Sequence, residues 1–128
     1  MRLLDMNGTK PIYIQIAEWI ENEILNGQFK PHDKVHSQYT LADMFNINPA
    51  TAAKGLNMLF EEDILYNKRG LGKFVTDQAR DRVLEKRKNE TLKRMLREVV
   101  SEAQHLQIDH KELIDMLQET IDDFKGEK

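Results

Sequence analysis

Residues 37–75 constrain this chain most. Two short helical signals, a tight turn and a glycine-tipped ribbon follow there in close order. Ser37 is a good N-cap for a helix carrying Leu41, Ala42, Met44 and Phe45. Asn46 and Ile47 make the turn, and Asn48-Pro49 opens a second helix. Asparagine caps well, and proline suits the first helical position because its missing N–H has no partner there. This second helix is expected to bury Ala52, Leu56, Leu59 and Phe60 and to stop near Glu62-Asp63. Ile64, Leu65 and Tyr66 then read as a strand, residues 67–73 as a basic loop, and Phe74-Val75 as the returning strand.

That is the layout of a winged helix-turn-helix, which lays one helix in the DNA major groove with a basic loop beside it. It predicts a mainly α fold with a small β-wing. A winged helix-turn-helix DNA-binding domain is expected over residues 1–76, with a two-helix C-terminal dimerisation region over 77–128.

Upstream, Asn7-Gly8-Thr9-Lys10 reads as a turn and Pro11 as the start of a helix. Tyr13, Ile16, Ala17, Ile20 and Ile24 recur at steps of three and four, giving one apolar stripe. Gly27 suits the C-cap, and Pro31 prevents continuation. Trp19 falls off the stripe and reads as an edge-of-core residue.

Downstream of Val75 no glycine or proline occurs until Gly126. One long helix is expected over about 77–106, with Leu92, Leu96, Val99, Ala103 and Leu106 spaced as in a heptad seam. After a break at Gln107-Ile108, Asp109 and Glu112 have capping-box spacing, and Ile108 and Leu113 match a hydrophobic staple. Ile114, Leu117, Ile121 and Phe124 continue the seam. Two helices with one seam each leave apolar surface that needs a partner, and the simplest partner is a second copy. The expected dimer interface is Leu92, Leu96, Val99, Ala103, Leu106, Leu113, Leu117, Ile121 and Phe124.

The 128 residues carry no cysteine, which excludes disulfide and thiolate chemistry and suits a reducing compartment. Asp5 interrupts any signal-like apolar run, and nothing approaches the roughly 20 apolar residues of a membrane span. A cytoplasmic location with no membrane partner is expected. Net charge is −3, but its distribution is uneven. Residues 1–76 hold 8 basic and 9 acidic side chains, residues 77–97 hold 8 and 4, and residues 98–128 hold 3 and 9. Positive charge therefore gathers at the wing and just after it.

The candidate DNA contacts follow from this layout. Ser37, Gln38 and Tyr39 open the first helix of the motif. Asn48, Ala50, Thr51, Lys54 and Asn57 lie off the buried stripe of the second, where side chains reach base edges. Thr51 suits phosphate or a thymine methyl, Ala50 the same methyl, Lys54 guanine or phosphate, and Asn57 adenine. Lys68, Arg69, Gly70, Gly72 and Lys73 form a basic wing tip suited to phosphate or minor-groove contact. The run Arg80, Arg82, Lys86, Arg87 and Lys88 reads first as a solvated helix face and second as a phosphate contact. His32, His36, His105 and His110 read as solvent or packing residues rather than metal ligands. No nucleophile elbow, phosphate loop or paired-acid site is present, so neither an enzyme nor a cofactor is expected.

Several separated motifs agree in order with a known family. They are Pro11-Ile12-Tyr13-Ile14-Gln15-Ile16, Ile24-Leu25-Asn26-Gly27, Lys30-Pro31, Leu41-Ala42, Asn48-Pro49-Ala50-Thr51, and Arg69-Gly70-Leu71-Gly72-Lys73-Phe74-Val75. Together they resemble the N-terminal domain of GntR-family transcription regulators. The 53 residues from 76 to 128 are too few for the large effector domains of most branches, and the short tail looks like the YtrA-type branch. The resemblance implies a homodimeric repressor that binds double-stranded DNA and often regulates transporter genes. Relatives commonly carry glycine where this chain has His32 and Asp63, and arginines at the positions of Tyr39, Pro49 and Ala53. Lys54 is left as the only cation on the recognition helix. A second function is therefore kept in view: a dimeric winged-helix interaction module with weak or lost DNA binding. A small-molecule effector at the dimer interface and regulation by protein level alone are the two routes of control in view.

Overall fold

The computed structural model describes residues 4–126. The first three residues of the expected head and the last two of the expected tail lie outside that range. The chain forms two compact units, which divide between Lys86 and Arg87.

In the first unit, α1 (Ile12–Leu25) follows Pro11 and buries Ile16, Ala17, Ile20, Glu21 and Ile24. Its end is a left-handed turn, with Gly27 at φ +84°, a conformation that glycine adopts without steric cost. Next come α2 (Gln38–Phe45) and α3 (Pro49–Glu61). Asn46 takes φ 55° between them, as a short polar side chain allows. The core joins the α1 stripe to Val35, Leu41, Phe45, Ala52, Leu56, Leu59, Ile64, Leu65 and Val75, with Trp19 packed half-buried at its edge.

Two features of α3 differ from the sequence reading. Gly55 is buried, and a Cβ there would come within 2.7 Å of the Tyr13 carbonyl oxygen. This glycine therefore lets α3 approach α1 closely. Phe60, expected in the core, is 42% exposed. It lies to one side of the Ala52, Leu56, Leu59 stripe, and its ring meets the Lys73 ammonium at 5.1 Å.

β1 (Leu65–Lys68) and β2 (Gly72–Val75) pair antiparallel, with Leu65 opposite Val75 and Lys68 opposite Gly72. The strands thus extend into the expected 67–73 loop and leave a tip of three residues. The segment before α2 adds an isolated bridge to β2, from Lys34 to Phe74. The Val35 N–H donates to the Lys73 carbonyl (3.0 Å), and the Val75 N–H donates to the Asp33 carbonyl (3.0 Å).

The expected helix over 77–106 is three pieces: α4 (Ala79–Lys86), a π-helical stretch (Arg87–Leu92) and α5 (Lys93–His105). Ala79 and Val83 of α4 are in the core of the first unit, which runs to Lys86. The π-helical stretch buries no side chain, so no apolar stripe holds it in α register.

The second unit contains α5 and α6 (His110–Gly126). Gln107 takes φ 57°, and the Ile108 N–H donates to the Ala103 carbonyl at 2.9 Å, a Schellman-type end. The Asp109 carboxylate accepts the Glu112 N–H at 2.8 Å and so caps α6. Leu92, Leu96, Val99, Leu106, Ile114, Leu117, Ile121 and Phe124 are all exposed by 42–69%. Ala103 differs from the expectation because it is buried within the chain and has little left to offer a partner. Leu113 is half-buried.

Candidate nucleic-acid interface

Three elements of the head build the site. The first is the start of α2. The Ser37 hydroxyl accepts the Thr40 N–H at 3.1 Å, the cap expected of it. Gln38 is half-buried, and Tyr39, in the first turn, is exposed.

The second element is α3. The Asn48 side-chain oxygen accepts the Ala50 N–H at 2.7 Å, with Pro49 at the first helical position. Ala50, Lys54 and Asn57 are exposed, whereas Thr51 and Ala53 are half-buried. Lys54 does not extend freely. Its ammonium lies 4.1 Å from the centre of the Tyr13 ring on α1, within the range of a cation–π contact.

The wing is the third element. Gly70 at φ +77° and Gly72 at φ +114° turn the tip, and Leu71 between them is exposed. The Lys73 ammonium donates to the Asn67 side-chain oxygen at 2.7 Å. The Lys68 ammonium lies 4.6 Å from the centre of the Phe74 ring. These contacts hold two of the wing cations in defined positions on the ribbon.

Between the start of α2 and the wing lies an open cleft of about 680 Å³. It is lined by residues 34–39, by Leu56 and by residues 67–73. Lys34, Lys68, Arg69 and Lys73 are among these, and no aspartate or glutamate is. A cleft of one sign focuses the field on an anion, and the polyanion that fits a cleft between helix and wing is a nucleic-acid backbone. Ser37, Gln38, Tyr39, Lys68, Arg69, Gly70, Gly72 and Lys73 thus share one cleft, while the α3 cap Asn48 and Ala50, Thr51, Lys54 and Asn57 of α3 lie outside its lining.

Lys34 was missed by the sequence reading because it precedes the helix-turn-helix signal. A weak trace was there: buried Val35 beside exposed Lys34 has strand alternation. Lys34 pairs with Phe74, and a Cβ on Gly72 would come 3.1 Å from its Cε. His32 adopts φ 69°. Its ring bridges the Tyr66 hydroxyl (2.8 Å from Nδ1) and the Asp77 carboxylate (2.7 Å from Nε2), bracing the base of the wing.

The basic run after the wing splits by role. Arg82 pairs with Asp63 at 3.3 Å. Lys86 is 19% exposed and pairs with Glu21 at 2.6 Å and Glu62 at 2.8 Å. Burial alone would lower the Lys86 pKa, but hydrogen bonds to Glu21 and Glu62, with their charges, outweigh it and raise it above the ordinary lysine value. Among the described residues no helix is long and apolar enough to cross a membrane.

Comparison with known proteins agrees with this geometry. The family described as bacterial regulatory proteins, gntR family, matches residues 12–75. The chain is 30% identical to the HTH-type transcriptional repressor YtrA of Bacillus subtilis (strain 168), over 98% of this chain and 95% of that protein. A GntR family transcriptional regulator from Listeria monocytogenes superposes with a TM-score of 0.72 at 32% identity, covering 89% of this chain and 98% of that one. BusR of S. agalactiae, in complex with its busAB-promotor DNA, superposes with a TM-score of 0.56 at 28% identity. That match covers 93% of this chain and 57% of BusR. Head, wing and short helical tail together assign this chain to the GntR family of bacterial transcription regulators, in its YtrA-type branch.

Proposed function

We propose that the protein is a homodimeric, cytoplasmic repressor that binds an inverted-repeat operator, with transporter genes the class of target suggested by its family. The observation that carries the DNA reading is the acid-free cleft with Lys34, Lys68, Arg69 and Lys73 beside the start of α2. In a chain of net charge −3, that segregation of charge is a functional footprint rather than a compositional one. In this reading Thr51, Ala50 and Asn57 meet base edges or backbone from α3, and the wing and Lys34 hold phosphates. The exposed apolar side chains of α5 and α6 support self-association. Leu92, Leu96, Val99, Leu106, Leu117, Ile121 and Phe124 make a surface that a second copy covers by two-fold symmetry.

One observation favours the alternative of an interaction module. The sole cation of α3, Lys54, is engaged with Tyr13 inside the head. A gel shift with DNA upstream of the chain's own gene separates the two readings. Retention of the shift against excess nonspecific DNA, with a steep salt dependence, supports the repressor. A shift abolished by the competitor supports the module.

A further inference from the structure

Lys86 joins three elements of the head at one point. Its ammonium donates to the carboxylate of Glu21 on α1, which has no exposed surface, and to that of Glu62, the C-cap of α3. A second ion pair, Arg82 to Asp63, spans the same gap from α4. The Thr76 hydroxyl also lies within hydrogen-bonding distance of the Asp63 (2.9 Å) and Ile64 (3.2 Å) carbonyl oxygens. The C-terminal end of the reading helix is therefore gripped from α4 and from the segment just before it. Neither Glu21, Glu62 nor Lys86 lines the cationic cleft.

We infer that Lys86 is a positioning residue for DNA reading: from buried Glu21 it fixes the seat of α3 through Glu62, so that a displacement of α4 is passed to the recognition helix. The inference rests on the DNA-binding function proposed above. The physical case is one of specificity rather than stability. An ion pair with a fully buried partner such as Glu21 repays its desolvation poorly, and its best-attested use is to select one arrangement of the parts it joins. Apolar contacts between α3 and α4 would tolerate sliding, whereas two directional bonds at 2.6 and 2.8 Å to one ammonium do not.

The test uses the full chain and a duplex selected by that chain from a randomised library, with a scrambled duplex as the reference. Glu62→Gln removes an acid, so electrostatics alone would tighten binding to any DNA. The positioning role gives the opposite sign on the selected duplex, a loss of roughly three- to thirtyfold. Binding to the scrambled duplex should not fall, and the salt slope should hold because no phosphate contact is lost. The pair Glu21→Gln with Lys86→Met keeps net charge unchanged and should show the same selective loss, with folding checked by circular dichroism. Equal or tighter binding of Glu62→Gln to both duplexes overturns the inference. So does a salt slope lowered by about one unit in the charge-conserving pair, since Lys86 would then touch phosphate. If the parent chain selects no sequence, the DNA-binding reading itself fails and takes the inference with it.

Discussion

The Lys54 ammonium rests 4.1 Å from the centre of the Tyr13 ring, so the one cation of α3 is tied to the first turn of α1. If that contact persists on DNA, Lys54 meets the phosphate backbone rather than a base. Lys54→Ala should therefore weaken DNA binding about equally for all sequences and lower the salt slope by about one unit. A salt titration on specific and scrambled duplexes checks this. A loss confined to one base position per half-site would place Lys54 on a base instead.

Lys86 makes a prediction about stability as well. Its folded pKa is raised above 10.5, the ordinary lysine value. A group with that sign of shift stabilises the fold fully below its unfolded pKa and loses the contribution as pH rises through its folded pKa. Urea unfolding from roughly pH 9 to roughly pH 12 should thus show a steeper loss in the parent than in the Glu21→Gln, Lys86→Met pair. Parallel curves would mean that the Lys86 proton is not linked to folding.

The elements that signal locally were legible. Ser37 and Asn48 cap as expected, and the second helix stops near Glu62-Asp63, with Asp63 at φ 61°. What escaped depends on partners distant in sequence. Gly55 carries no hydrophobic signal, so its tight approach to Tyr13 leaves no periodic trace. Lys86 looked like one more solvated cation, because its partner Glu21 lies 65 residues away. Phe60 has the composition of a core residue but the angular position of a wing neighbour. The π-helical stretch over residues 87–92 was hidden because a run without glycine or proline gives no sign of where buried anchoring stops.

The tail should hold two copies together. Leu96 and Leu117 are 46% and 51% exposed in the single chain. Covering a large apolar side chain contributes about 1.5 to 3 kcal/mol. Leu96→Asp or Leu117→Asp should replace that gain with the cost of burying a carboxylate, shift the chain toward monomer and lower operator affinity with it. Sedimentation velocity across a concentration series measures the shift. An unchanged dimer in both variants would place the interface elsewhere.

Symmetry of the DNA site follows from the same dimer. Two copies related by a two-fold axis present two identical α3 helices, each able to read only a few base pairs. One half-site alone would bind weakly, so the operator should be an inverted repeat whose halves meet both helices on one face of the duplex. In many helix-turn-helix dimers the centres lie about one turn, roughly 10 base pairs, apart. Here the head ends at Lys86 and a further 42 residues follow, enough chain to widen that spacing. With Lys54 engaged and no arginine on α3, backbone contacts from Lys34, Arg69 and Lys73 should carry an unusual share of the affinity, and DNA shape an unusual share of the selectivity. Hydroxyl-radical footprinting should then show two protected blocks related by inversion, with two chains bound at saturation. Protection without inverted symmetry, saturated by one chain, would exclude this mode of binding.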